Sequence, residues 1–452
     1  MNQITQNKNI DNFVKSLSKS LKDSLSSPSE NDVIDELKPK LVLNPSSLDE
    51  ISDGLNKAAE NGLTVCPIGG ATRLSLGNPP VKYDIALNLK QLNNIVEYRP
   101  SDLSITVQAG ITLEKLQTKL SQSNQFLPIS APLASESTIG GILAIGTSGP
   151  LNWLNGSIRD IVTGMKTVQS DGTITKSGGQ VMKNVSGYDM SRLHIGGLGT
   201  LGIISEVSLK VTPKPLNETT LIASFRSQLD SFQASMSMFH STINTLSLSH
   251  ISPTASHKLN LKSLKTGHLV AIRLYGRALS IKRCIDETNA ILKPFKPKNI
   301  QELDEFEHTK FWKEVADFGW RQDSKPYISI RISLPPTSVG EVLGSLESTT
   351  ATKGVVPALL TQIEHGTILF QMYDMGKNID DRKIAEIISD TRRLVRQRRG
   401  TAIIEQAPLK LKQKFDVWDG FDQVIGTFQM LKSRFDSADI LNSGRLFPSE
   451  LH

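Results

Sequence analysis

Three glycine-rich stretches, at 67–73, 135–149 and 196–202, lie far apart in the chain, each beside residues that alternate apolar and polar like half-buried strands. Glycine has no Cβ, so the backbone N–H groups of such turns can converge closely on oxygen atoms, and successive free amides form a concavity suited to an anion. One such turn need only join two strands. Three in one chain point to a site walled by backbone, and a pyrophosphate suits such walls.

The third stretch, Gly197-Leu198-Gly199-Thr200-Leu201-Gly202, matches the dinucleotide pattern G-x-G-x-x-G by letter. That pattern binds a pyrophosphate where a strand precedes it and a helix follows, because the helix N-terminus carries the charge. Here residues 203–211 alternate like a strand, so the Rossmann reading fails. The chain also contains no G-x-x-x-x-G-K-[ST], which removes the P-loop nucleotidases.

At 452 residues the chain exceeds what one hydrophobic core serves, so two domains are expected. The net charge of +6 is small for this length and both signs are mixed, which argues against nucleic acid as a partner. Cys66 and Cys284 are too few and too distant for a disulfide scaffold or a local metal motif, and they point to a reducing, cytoplasmic setting. The first residues hold no apolar secretory region, and no run of about eighteen apolar residues occurs, so membrane contact is expected only peripherally or through partners.

Along the chain, residues 1–40 are rich in Ser, Lys, Asn and Asp and read as a partly helical tail. Ser47 to Glu50 fits a capping box for a helix that Asn61-Gly62 closes, and a strand at 63–68 runs into the first glycine turn. Further strands are expected at 85–89, 104–109, 161–169 and 203–211, with a helix at 113–120 and a hairpin turned by Asp171-Gly172. Pro213 and Pro215 mark a domain boundary. Beyond them an α+β pattern places strands near 269–274, 328–334 and 367–372 and helices near 281–292, 306–318 and 382–399. A last helix is expected at 421–435, and no internal repeat is visible. The resulting division is a tail at 1–40, a first domain at 41–215, a second at 216–420 and a carboxyl-terminal segment at 421–452.

Taken in order, Pro67-Ile68-Gly69-Gly70-Ala71-Thr72-Arg73, Thr138-Ile139-Gly140-Gly141, Gly156-Ser157-Ile158-Arg159-Asp160, Lys183-Asn184-Val185-Ser186-Gly187-Tyr188-Asp189 and Gly199-Thr200-Leu201-Gly202 resemble the FAD-binding domain of the vanillyl-alcohol-oxidase superfamily, also termed PCMH-type. Within it, residues 182–193 and the late Phe435-Asp436 and Asn442-Ser443-Gly444-Arg445 resemble the FAD-binding E subunits of bacterial glycolate oxidase. The resemblance is strong over about 40–215, patchier through the middle, and returns at the carboxyl end. It implies an α+β fold: an FAD domain of two α+β subdomains, an α+β cap, and a final segment that returns toward the flavin.

The same resemblance implies roles. Pro67, Gly69, Gly70, Ala71, Thr72 and Arg73 would cradle the pyrophosphate, with Pro132, Ser137, Thr138, Gly140, Gly141 and Gly149 continuing that wall. Gly202 and Ile204 would offer main-chain atoms on the adenine side, and Asn442 would contact the cofactor from the carboxyl-terminal segment. Lys183, Asn184 and Tyr188 would lie toward the isoalloxazine, where Lys183 could stabilise reduced, anionic flavin. Many relatives attach the flavin through a histidine directly after the first Gly-Gly. Ala71 stands in that place, so FAD is expected to be held without a covalent bond.

Single-chain dehydrogenases of the superfamily carry a metal-binding, two-histidine cap motif that is missing here, so no metal is expected. Glu364-His365-Gly366 is the compact candidate for a hydroxyl-deprotonating base, and Arg192, Arg331 or Arg445 could hold a carboxylate. The arginines at 392, 393, 396, 398 and 399 read as a basic face for solvent or a partner. With no cysteine set for an iron–sulfur cluster, electrons must pass to a separate acceptor. The resemblance implies a 2-hydroxyacid such as glycolate as substrate, with a second flavoprotein and an iron–sulfur subunit as partners. A self-sufficient hydroxyacid or alcohol dehydrogenase or oxidase, and a flavin-bearing assembly subunit without turnover, stay open.

Overall fold

The computed structural model describes residues 2–146, 149–151, 156–179, 188–259, 267–374 and 380–446. Contacts divide the chain into two units, Met1–Ser148 with Gly156–Lys214 and Phe421–His452, and Gly149–Asn155 with Pro215–Gly420.

In the first unit, Ile51, Leu55 and Ala58 recur at helical spacing and are all buried on one face of the helix Leu48–Glu60. Ser47 caps it by accepting the Glu50 N–H at 3.2 Å. The reciprocal half of the expected capping box is absent, because the Glu50 carboxylate accepts from Ser46 N at 2.7 Å instead. Asn61 and Gly62, at φ +61°, end the helix.

The strand that follows belongs to a sheet ordered β1-β2-β4-β3, with β1 Leu25–Ser26, β2 Leu41–Leu43, β3 Val65–Ile68 and β4 Ile85–Asn88. Strands β2, β4 and β3 run parallel, and their mostly apolar letters fit burial on both faces. A second, antiparallel sheet is ordered β5-β6-β10-β8-β9, with β5 Ile95–Arg99, β6 Ser104–Gln108, β8 Val162–Val168, β9 Ile174–Gly178 and β10 Ile203–Lys210. Asp171 and Gly172, the latter at φ +85°, turn the β8–β9 hairpin. A small ribbon pairs β7, Gln125–Phe126, with β11, Thr212–Pro213.

Two further pieces complete this unit's core. Helices Asn2–Ser16 and Lys19–Asp23 and the bend between them bury Phe13, Leu17 and Leu21 among Leu41, Leu43, Ile51 and Leu55. At the other end of the chain, a segment following the helix Ile425–Phe435 runs parallel to β3: Val65 N donates to Ile440 O at 2.7 Å and Asn442 N to Val65 O at 2.9 Å. β3 is an edge strand, and the returning segment satisfies backbone groups that an open edge would expose.

The second unit is one antiparallel sheet of eight strands, ordered β15-β12-β14-β13-β17-β18-β16-β19. Strands β12 Asn217–Phe225, β13 Thr245–Ile251, β14 His268–Gly276 and β15 Asn299–Glu302 alternate with helices Gln228–Phe239 and Ala278–Leu292. Strands β16 Ile328–Ser333, β17 Ala358–Gln362, β18 Thr367–Met372 and β19 Thr401–Gln406 alternate with helices Val339–Thr352 and Asp381–Arg396 in the same βαββαβ sequence. Each half is thus a ferredoxin-like motif, and the halves join edge to edge where β13 pairs with β17. This repeat is invisible in the letters because each half needs only apolar alternation, which many residue choices satisfy.

The structure also corrects the reading of the arginine run as an open basic face. Arg392 donates to the carbonyls of Ala402, Asp416, Val417 and Trp418, Arg396 pairs with the buried Asp419, and Arg398 pairs with Glu341. Most of that charge is spent inside the unit. Removing the Phe13 ring is the sharper test of the first unit: Phe13→Ala is expected to destabilise it by about 3–5 kcal/mol, lowering its urea midpoint, whereas an unchanged midpoint would show that the amino-terminal helix is not docked.

Candidate functional site

The first glycine turn leaves the end of β3 directly into a cleft lined by all three turns. Its glycines are there because other backbone passes too close for a side chain. A Cβ on Gly69 would sit 2.1 Å from Thr138 Oγ1, and one on Gly70 only 1.9 Å from the Glu136 carbonyl oxygen. Gly140 approaches Ala109 in the same way, with 2.7 Å left between its would-be Cβ and the Ala109 methyl, and Gly199 meets the Pro67 ring at 2.7 Å. The three turns are therefore brought together in space.

Hydrogen bonds fasten them. The hydroxyls of Thr72 and Ser137 share a bond at 2.9 Å, Ser137 Oγ also lies 2.6 Å from the Pro132 carbonyl oxygen, and Thr138 Oγ1 accepts from Gly141 N at 3.3 Å. By contrast, the amides of Gly69, Gly70, Ala71 and Thr72 form no hydrogen bond among the described residues. Four successive donors on a cleft wall make a nest for anionic oxygens. Leu74, Leu76, Leu89, Ile142, Leu198 and Ile203 supply an apolar lining, as a ring system requires.

Of the residues expected to hold a cofactor, Pro67, Gly69, Gly70, Ala71, Thr72, Arg73, Ser137, Thr138, Gly140, Gly141, Ile204 and Asn442 line this cleft. Pro132 stands behind the wall as the acceptor for Ser137, and Gly149 is not among the lining residues. Gly202 packs on the His194 ring rather than lining the cleft, and Tyr188 is 93% exposed away from it. Lys183 and Asn184 lie outside the described residues. His365 belongs to the second unit, in the turn between β17 and β18, where burial lowers its pKa and pushes the neighbouring Glu364 carboxyl up to about 8.

Leu198, Gly199 and Cys66 line the cleft as well, though none was named from the sequence as a cofactor contact. Gly199 carried a signal, since a G-x-G turn followed by a strand needs a left-handed residue, and its φ is +70°. Arg445 lines the cleft too, but as a clamp: it donates to the carbonyls of Asn78, at 2.8 Å, Leu74, at 2.6 Å, and Leu76, and faces Asp35 at 3.5 Å. Arg192 pairs with Asp189 and Arg331 with Glu405. Cys66 is buried at the cleft, and that burial pushes its thiol up to about 12 despite the opposing pull of Arg445.

Residues 39–178 match the FAD binding domain family. The chain carries an FAD binding domain. The chain is 35% identical over 185 residues to glycolate oxidase subunit GlcD of Bacillus subtilis (strain 168), covering 41% of this chain and 39% of that one. It is 36% identical over 162 residues to glycolate oxidase subunit GlcE of Escherichia coli (strain K12), covering 36% of this chain and 46% of that one. The matched region thus spans less than half of either relative. Over its whole length the fold is similar to that of p-cresol methylhydroxylase with substrate bound, at a TM-score of 0.73 and 14% identity, covering 100% of this chain and 98% of that one. The α+β, PCMH-type fold expected from the sequence is the fold observed.

Two outcomes test the FAD domain's geometry. A methyl at Gly70 must displace the Glu136 carbonyl, so Gly70→Ala is expected to weaken FAD binding by about 1–3 kcal/mol, roughly tenfold to a hundredfold, in a flavin-fluorescence titration. A thiol with its pKa raised to about 12 stays protonated at pH 8. Cys66 is therefore expected to escape a thiol-reactive disulfide reagent until the protein is unfolded, and its labelling in the native protein, mapped by mass spectrometry, would contradict its placement.

Proposed function

We propose that this chain is an FAD-dependent oxidoreductase that takes two electrons from a 2-hydroxyacid and works as a subunit of a glycolate dehydrogenase or oxidase type of complex. The observation that carries the reading is the row of amides at Gly69, Gly70, Ala71 and Thr72, without hydrogen-bond partners among the described residues and set in a cleft with an apolar lining. The fit is chemical: amides meet the phosphate oxygens, and leucines and isoleucines cover a ring. The likeness to two subunits named for glycolate oxidase supports the substrate class.

When bound, FAD accepts the two electrons that a hydroxyl-bearing carbon gives up on oxidation to a carbonyl. The chain's residues supply the rest. Ala71 stands where relatives place a linking histidine, and a methyl group forms no bond to a flavin, so the cofactor is held by contacts alone. Cys66, with its pKa raised by burial, stays a neutral thiol and offers no alternative attachment. His365, whose pKa burial lowers, favours the neutral imidazole and is proposed to take the hydroxyl proton. Lys183 is proposed to place a positive charge near the reduced flavin.

Two cysteines cannot ligate an iron–sulfur cluster of the usual four-cysteine kind, so electrons are proposed to leave through a second flavoprotein and an iron–sulfur subunit. No helix among the described residues is long and apolar enough to cross a membrane, and any membrane contact is proposed to run through those partners.

The test is anaerobic bleaching of the purified yellow protein with glycolate, D-lactate and 2-hydroxyglutarate, with and without candidate partners. Bleaching by one acid is expected, and a colourless protein that refuses added FAD would sink the proposal. Acid precipitation is expected to release the flavin into the supernatant. His365→Gln is expected to slow reduction by about a hundredfold or more without changing the flavin spectrum, and an unchanged rate would remove His365 from the chemistry.

A further inference from the structure

Lys432 is a half-buried cation in the last turn of the helix Ile425–Phe435, and it lines no part of the FAD cleft. Its ammonium donates to the Thr200 carbonyl at 3.1 Å and to the Leu441 carbonyl at 2.8 Å, and it pairs with Asp436 and, at 3.0 Å, with Asp439. The Asp436 carboxylate is fully buried and accepts from Ile440 N at 3.1 Å and Leu441 N at 2.7 Å. Both carbonyl partners lie next to cleft residues. Thr200 follows Leu198 and Gly199, and Leu441 precedes Asn442; all three of those neighbours line the cleft.

Asn442 is itself poised. Its backbone is left-handed at φ +48°, its Nδ2 donates to the Leu198 carbonyl, and its Oδ1 is buried with no partner among the described residues. A buried acceptor left unpaired costs free energy, and so does the left-handed backbone, so the surroundings must hold both in place.

We propose that Lys432 is a positioning residue for FAD: its ammonium locks the third glycine turn to the returning carboxyl-terminal segment and so holds Asn442 Oδ1 in the cleft, where it accepts from an N–H or O–H group of the cofactor. This rests on the reading of the cleft as the FAD site. A lysine suits the task because one ammonium carries three donors, enough for two carbonyls and a carboxylate together. It also compensates Asp436, whose charge would otherwise be buried alone.

FAD titrations of the full-length apoprotein, read by flavin fluorescence, test the proposal in wild type, Lys432→Met, Lys432→Arg, Asn442→Ala and the Lys432→Met/Asn442→Ala double variant. Lys432→Met is expected to weaken binding about tenfold or more, because hydrogen bonds from a charged group are lost. Lys432→Arg is expected to restore most of the affinity. The double variant should lose clearly less than the product of the two single losses, since the lysine acts through the asparagine. Lys432→Gln replaces Lys432→Met if the latter does not fold. Wild-type affinity in the lysine variants, or losses that simply multiply, would overturn the positioning role. Failure of the wild-type chain to bind FAD would instead overturn the site itself, before any variant is compared.

Discussion

The close passage of three backbone turns is the constraint on which the first unit depends. Where Gly70 passes the Glu136 carbonyl and Gly69 passes Thr138, even one extra carbon has no room. That approach carries a second consequence. The amides of 69–72 line a cleft and have no protein partner among the described residues, so they are available to an anion. The fold thus gathers a demand for hydrogen-bond acceptors at one place, which suits a diphosphate.

The wall that meets this demand is assembled from both ends of the first unit's chain. Residues 440–442 lie beside β3, the strand that leads into the first turn, and Arg445 gathers the carbonyls of Leu74, Leu76 and Asn78 from the loop after that turn. A buried guanidinium is costly to desolvate, and it is tolerated here because its donors meet carbonyl oxygens and Asp35 stands nearby. The amino-terminal helices and the bend between them add Phe13, Leu17 and Leu21 to the core around β2 and β3. The cleft is therefore not a property of the glycine turns alone.

The second unit solves a different problem, covering a long sheet with few long-range crossings. Two ferredoxin-like halves each place their helices over the sheet, and their joint at β13 and β17 makes one continuous surface of eight strands. Arg392 and Arg396 tie residues 416–419 to the helix Asp381–Arg396, so charges that look surplus by composition serve as internal fasteners.

Much of this was legible in the letters, because some constraints act over a few residues. The spacing of Ile51, Leu55 and Ala58, the Asp171-Gly172 hairpin and the strand after Gly202 all depend on local backbone preferences, and Ala71 alone determines that no histidine stands after the first Gly-Gly. What the letters could not carry was contact between distant segments. That Gly199 rather than Gly202 faces the cleft, that Arg445 clamps carbonyls, that Glu50 turns to Ser46, and that unrelated-looking halves repeat one topology were decided by tertiary structure, since each depends on which backbone atoms arrive within a few ångströms after hundreds of residues have folded.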